Sequence, residues 1–230
     1  MKIYLSPSMQ DYNRYAVGDT TEMHQCGRIA EYAERALRRC GFEVKRAPTG
    51  QSAEANVAES NGWGADFHIP IHTNAGGGKG CVVFVSELDG EKYNYARAIY
   101  SAIDAITLYR SVYGVRRQSF YETNATIAPC IYVECEFHDN AELAQWIIGN
   151  VQELGEAICR GVCKAAGKEY ISEDDMERWQ KLEDIPAGYR DIARRYIDRG
   201  ALRGKTDGSL DLTEDMLRVM EIIRRYFEEE

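Results

Sequence analysis

"ADFHIPIHTN", residues 65–74, is apolar almost without a break from Phe67 to Ile71 and turns polar at His72, Thr73 and Asn74. A strand with one wet face alternates apolar and polar residues, whereas a parallel strand covered by helices on both faces does not. The stretch therefore predicts an inner strand of a mostly parallel sheet. The segments around it agree. "KIYLS" (2–6), "FEVKRA" (42–47), "GCVVFVS" (80–86) and "CIYVECEFHDN" (130–140) predict further strands. A helix is expected to start at Thr20 or Thr21, with Glu22 in its first turn, Ile29, Ala30, Tyr32, Ala33 and Leu37 at helical spacing, and a stop at Gly41. More helices are expected over 52–63 and 90–108, and one or two over 141–167. Strands alternating with helices imply an α/β fold, a three-layer αβα arrangement with a mostly parallel sheet flanked by helices. Residues 1–167 make that domain, 168–178 are a charged linker, and 179–230 form a small helical domain.

Composition narrows the function classes. The 230 residues are 44% hydrophobic with a formal net charge of -9, which disfavours a general nucleic-acid partner, since neutralising phosphates needs a basic face. No apolar run is long enough to span a bilayer, so no membrane insertion is expected. "MKIYLSPS" lacks the form of a signal peptide, which predicts synthesis in the cytoplasm. The seven cysteines are scattered and do not outline a secreted disulfide framework. Cys159 and Cys163, four apart on one helix, could hold zinc, but small buried residues on a helix face are the plainer reading.

Open α/β sheets place their sites beyond the carboxyl ends of the strands, and the chemically capable residues cluster there. His72 closes its strand beside a glycine run and could bind a metal or move a proton; the competing reading is a core histidine satisfied by a carbonyl. His68 lies on the same face but roughly 13 Å back by strand rise. The two cannot chelate one ion, and His68 is expected to be structural. Glu22 could be a ligand or simply an acidic residue complementing its helix dipole. Glu134 and Glu136 sit near the end of an apolar strand, where a carboxylate is costly unless paired or ligated. At strand period both point to one face, and His138 and Asp139 enrich the same corner.

"IHTNA" (71–75) and "PCIYVECEFHDN" (129–140) resemble motifs of the zinc-dependent N-acetylmuramoyl-L-alanine amidases. The order of elements is similar too, over about residues 1–165. The resemblance implies a peptidoglycan hydrolase that cleaves the amide between N-acetylmuramic acid and L-alanine with zinc-activated water. It implies Glu22 and His72 as zinc ligands and Glu134 as the catalytic carboxylate. The family places its first histidine ligand in the turn after strand one; here "SPSMQD" puts Met9 at that position, and a thioether is a poor zinc ligand. His138 is the first candidate to replace it and Gln10 the second. Asn74, Tyr121, Glu122 and Asn124 are candidates to line the substrate groove, and the glycines at 76–78 would let backbone approach it.

The substrate would be bacterial peptidoglycan, reached at the cell wall after lysis or release, as an endolysin or autolysin reaches it. An inactive wall-binding scaffold and a different zinc amide hydrolase are the alternatives. The tail, "YIDRGALRGKTDGSLDLTEDMLR" (196–218), resembles an S-layer-homology-like unit, which implies wall binding; a helical add-on that mediates dimerisation is the other reading.

Overall fold

The computed structural model describes residues 1–228 and shows two compact units, Met1–Ile171 and a second that starts at Ser172. The first is a six-stranded sheet with helices on both faces. Its strands are β1 (Lys2–Pro7), β2 (Glu43–Arg46), β3 (Phe67–Asn74), β4 (Val82–Val85), β5 (Gly114–Arg117) and β6 (Tyr132–Phe137), in the order β2-β1-β3-β6-β4-β5. All neighbouring pairs are parallel except β4 with β6. Ile69 and Ile71 of β3 are buried between the layers, as the nearly continuous apolar run requires.

Helix α1 (Glu22–Arg39) begins at Thr21, whose hydroxyl accepts from the His24 amide. Gly41, with φ of 77°, turns the chain into β2. Helix α2 (Ala53–Trp63) starts on Ser52 and ends on left-handed Gly64. Helices α3 (Gly90–Asp104), α5 (Ala141–Gly149) and α6 (Val151–Ala166) complete the main layers. Two elements have no sequence counterpart in the expected layout. β5, "GVRR", is an edge strand with no apolar alternation, and α4 (Tyr121–Ala125) is too short to show a helical period.

Because β1, β3 and β6 are parallel neighbours, their carboxyl ends lie side by side. The Ser8 amide donates to the Ile71 carbonyl and the His138 amide to that of Asn74. His72 is directly opposite Glu134, but Asn74 is opposite Phe137. The extra residue on β6 is a bulge, which re-aims side chains at a sheet end.

The second unit has helices α7 (Ala187–Asp198) and α8 (Glu214–Glu228). They close over a small core of Trp179, Ile185, Ala193, Leu212 and Leu217.

Helix α6 packs tightly on α1 and α3 through two glycines. A Cβ at Gly155 would lie 2.6 Å from the Ala33 amide nitrogen and 2.9 Å from the Ile29 carbonyl. One at Gly161 would lie 2.7 Å from the amide nitrogen of Ile99. Alanine improves helix propensity by about 1 kcal/mol over glycine, but here the obstructing atoms are backbone and cannot swing aside. Gly161→Ala is therefore expected to destabilise the protein by about 1–3 kcal/mol, the range for overpacking. Thermal denaturation would show it, and a rise in melting temperature would contradict the packing argument.

Candidate active site

The N-terminus of α1 and the ends of β1, β3 and β6 enclose a hollow lined by Gln10, Asn13, Glu22, His72, Glu134 and His138 among others. Glu22 is buried, and its Oε1 lies 2.7 Å from His72 Nδ1. Asn13 donates to Glu22 Oε2 at 2.7 Å and to Gln10 Oε1 at 2.5 Å, so the first loop is tied to the helix start. The His72 ring stacks on Tyr132 with centroids 4.5 Å apart.

Charge follows from this geometry. Burial would raise the Glu22 carboxyl, but hydrogen bonds from His72 and Asn13 and the charge of the imidazolium outweigh it and hold it below the usual range. Burial would lower His72; the hydrogen bond to Glu22 and the charge of Glu134 outweigh it and hold the imidazole above its ordinary value. A proton thus bridges Glu22 and His72, at a place where a metal ion could stand in for it. Glu134 is pushed up to about 8, by burial first and by the Glu22 carboxylate in part, against the pull of His72. Its Oε2 is shielded from water and has no hydrogen-bond partner. The His72 imidazole and the Glu22 carboxylate are an N/O pair of the kind that ligates a divalent ion, with the orphaned Glu134 oxygen lining the same hollow.

The other candidates take distinct places. His138 is buried in the wall of the hollow. Its Nδ1 is 3.0 Å from Thr73 Oγ1, and its ring stacks on Tyr15. Among the described residues, the one group of three or more His, Cys, Asp or Glu whose ligand atoms lie within 4.8 Å of one another is Cys40, Cys159 and Cys163. Neither His138 nor Glu134 therefore converges with Glu22 and His72 to that limit, and those two side chains are the pair brought within hydrogen-bond distance. Met9 is exposed and lines an adjoining groove of about 260 Å³, whose walls also include His72, Tyr121, Glu122 and Tyr132. Tyr121 is exposed at its rim.

Glu122 is buried at the floor of that groove, where it accepts from Ser6 and meets His68 Nε2 at 3.0 Å. His68 is fully buried, stacked on Tyr4. Asn74 borders the hollow and accepts from the Ala75 amide. Asn124 is on the surface, bonded to Ser119.

One expectation changes. Glu136 does not share the hollow with Glu134: the bulge takes it away, and its Oε1 accepts from the Gly80 and Phe137 amides. Gly76 and Gly77 also shape their own loop. Both have positive φ, and both amides donate to Asp139 Oδ2, at 2.7 and 2.8 Å. Sequence reasoning also missed Asn13; its signal was the amide-rich run "QDYN" (10–13) just before a helix headed by a carboxylate.

Residues 4–164 match the N-acetylmuramoyl-L-alanine amidase family, Amidase_3. The chain belongs to that family. Among solved structures, it is similar to N-acetylmuramoyl-L-alanine amidase AmiC2 of Nostoc punctiforme, at 18% identity and a TM-score of 0.66, over 73% of this chain and 97% of that one. It is also similar to N-acetylmuramoyl-L-alanine amidase from Clostridium difficile 630, at 21% identity and a TM-score of 0.65, over 72% of this chain and 96% of that one. A third is the catalytic domain of CD27L endolysin, at 22% identity and a TM-score of 0.59, over 71% of this chain and 97% of that one. No curated protein is significantly similar to the chain in sequence.

The raised carboxyl of Glu134 makes a stability prediction for metal-free protein. Between the unfolded value of 4.5 and about 8, the folded chain holds a proton that the unfolded chain has released. Stability therefore falls as pH rises through that window. Glu134→Gln removes this slope. In chelator-treated protein the variant is expected to be more stable than the parent at pH 9, by on the order of 3 kcal/mol, with the gap closing towards pH 5. Denaturant titrations at the two pH values check it; a pH-independent gap would contradict the assignment.

Proposed function

We propose that the chain hydrolyses the amide joining N-acetylmuramic acid to L-alanine in bacterial peptidoglycan, with zinc held by Glu22 and His72 and with Glu134 as general base. The observation that carries this is the partnerless Glu134 Oε2 facing the hydrogen-bonded Glu22–His72 pair, in a chain of the amidase family. Zinc, when bound, supplies Lewis acidity to the amide carbonyl and to a water. Glu134 takes the water's proton on Oε2 and delivers it to the departing amine nitrogen. Tyr121 at the rim and Glu122 in the floor of the adjoining groove contact the substrate, and Asn74 borders the reacting end.

For the third protein donor, the arrangement favours Gln10 over His138. The Asn13 amide joins Gln10 Oε1 to the Glu22 carboxylate, whereas the His138 ring is anchored on Thr73 and Tyr15. The second unit would serve as a wall anchor, and its α8 leaves Val219, Ile222 and Tyr226 exposed on one face. Residues 1–171 alone are then expected to cleave soluble muropeptides but to lose retention on sedimented cell walls. Undiminished retention would remove the anchoring role.

The central test is a muropeptide digest followed by assay of the released L-alanine amino termini. Glu134→Gln is expected to lose turnover by about 10²–10⁴, the range for a missing general base, while zinc measured by elemental analysis stays bound. Turnover within about tenfold of the parent would exclude the role. His72→Ala is expected to lose zinc. Gln10→Ala should lose it too, while His138→Ala should keep it; the reverse result would place the imidazole in the shell instead.

A further inference from the structure

Far from the hollow, at the other end of α1, three buried thiols meet. Helix α1 has 18 residues, so its ends lie about 26 Å apart at 1.5 Å per residue. Cys40 caps the C-terminus of α1; Cys159 and Cys163 are one turn apart on α6. Cys159 Sγ lies 3.6 Å from Cys40 Sγ and 3.8 Å from Cys163 Sγ, and all three sulfurs are within 4.8 Å of one another. From these distances we propose that Cys40, Cys159 and Cys163 form a second metal site, a three-thiolate clip for a soft ion such as zinc, cadmium or copper(I).

Thiolates about 2.3 Å from a tetrahedral zinc stand about 3.8 Å apart, close to the sulfur separations already present. The surroundings favour a thiolate at Cys163, whereas burial holds up Cys40 and the Cys163 contact and burial hold up Cys159, so an incoming metal must displace their protons. The Ile171 amide donates to Cys40 Sγ at 3.3 Å, a hydrogen bond that a sulfur anion accepts better than a thiol. Lys168 and Arg39 place positive charge beside Cys163. Lys168 is held there, donating to the carbonyls of Cys40 and Gly41.

Soft thiolate sets select thiophilic ions over magnesium or calcium. A disulfide is the weaker reading for the pair on α6. Side chains four apart on a helix have Cβ atoms about 5–6 Å apart, beyond the roughly 3.5–4.5 Å of a disulfide. A Cys40–Cys159 disulfide would need an oxidant and would leave Cys163 unused.

The site differs in kind from the Glu22–His72 hollow, which offers no sulfur. It would tie the C-terminus of α1 to α6 and to the irregular segment that ends the first unit at Ile171.

The test uses the full chain, reduced and stripped of metal, titrated with cadmium. A thiolate-to-cadmium charge-transfer band in the ultraviolet is expected to saturate at one ion per chain, with a rise in melting temperature. Cys159→Ala and Cys163→Ala, checked for folding by circular dichroism, should lose the band, and Glu22→Gln should keep it. Where a variant fails to fold, cadmium X-ray absorption on the unaltered protein decides. A sulfur shell supports the site. No band, a shell of nitrogen and oxygen alone, or isolation of a Cys40–Cys159 disulfide from freshly purified protein overturns it.

Discussion

The register of β3 against β6 is the constraint on which the site depends. With His72 directly opposite Glu134, an imidazole and a carboxylate face one hollow from adjacent strands about 4.8 Å apart. A slip of one residue would turn every side chain of a strand to the opposite face. It would replace His72 with Ile71 or Thr73 at that position and bury the ring among helices. The apolar run from Phe67 to Ile71 prevents such a slip, because both faces of β3 are sealed and neither could accept a displaced polar group without cost. The core that makes β3 an inner strand is thus also what aims His72.

From α1 comes the third side chain. Glu22 is the first residue of a helix whose cap, Thr21, is fixed by its own hydrogen bonds. A carboxylate in a first turn is favoured by the helix dipole, yet here it is buried and bonded to His72. The dipole and ligand readings of this residue are therefore compatible. The same helix start that stabilises the anion presents it to the strand ends, and Asn13 and the Ser8 hydroxyl add hydrogen bonds that keep it ionised.

Much of this was legible in the sequence for a physical reason. Buried parallel strands and capped amphipathic helices leave strong local patterns, and β1, β3, β6 and α1 have them, while α2 is marked by its caps, Ser52 and Gly64. β5 and α4 lack such patterns: one is a charged edge strand and the other spans little more than a turn. Within the site, Glu22, His72 and Glu134 stood out because a polar residue ending an apolar strand or starting a helix is conspicuous. The bulge on β6 is set by pairing across strands distant in sequence, and it redirected Glu136. No strand-period argument could anticipate that. Convergence of Cys40 with Cys159 and Cys163 depends on helix packing across more than a hundred residues, so spacing on α6 alone showed only a pair.

The charges in the hollow bear on how a cation would act there. Glu22 and His72 share a proton as an ion pair that is close to neutral as a unit. Glu134 then faces that pair alone, and burial keeps its own proton on up to about pH 8. A base that is protonated at neutral pH cannot accept another proton. A divalent cation at Glu22 and His72 would displace the shared proton, since a ligating imidazole must be neutral at its donor nitrogen. The added positive charge would lower Glu134 towards the range where it is ionised. Metal affinity and basicity are thereby linked. Protons would compete with such an ion at His72, whose imidazole is held above its ordinary value, and would also neutralise Glu134, so acid would weaken both functions.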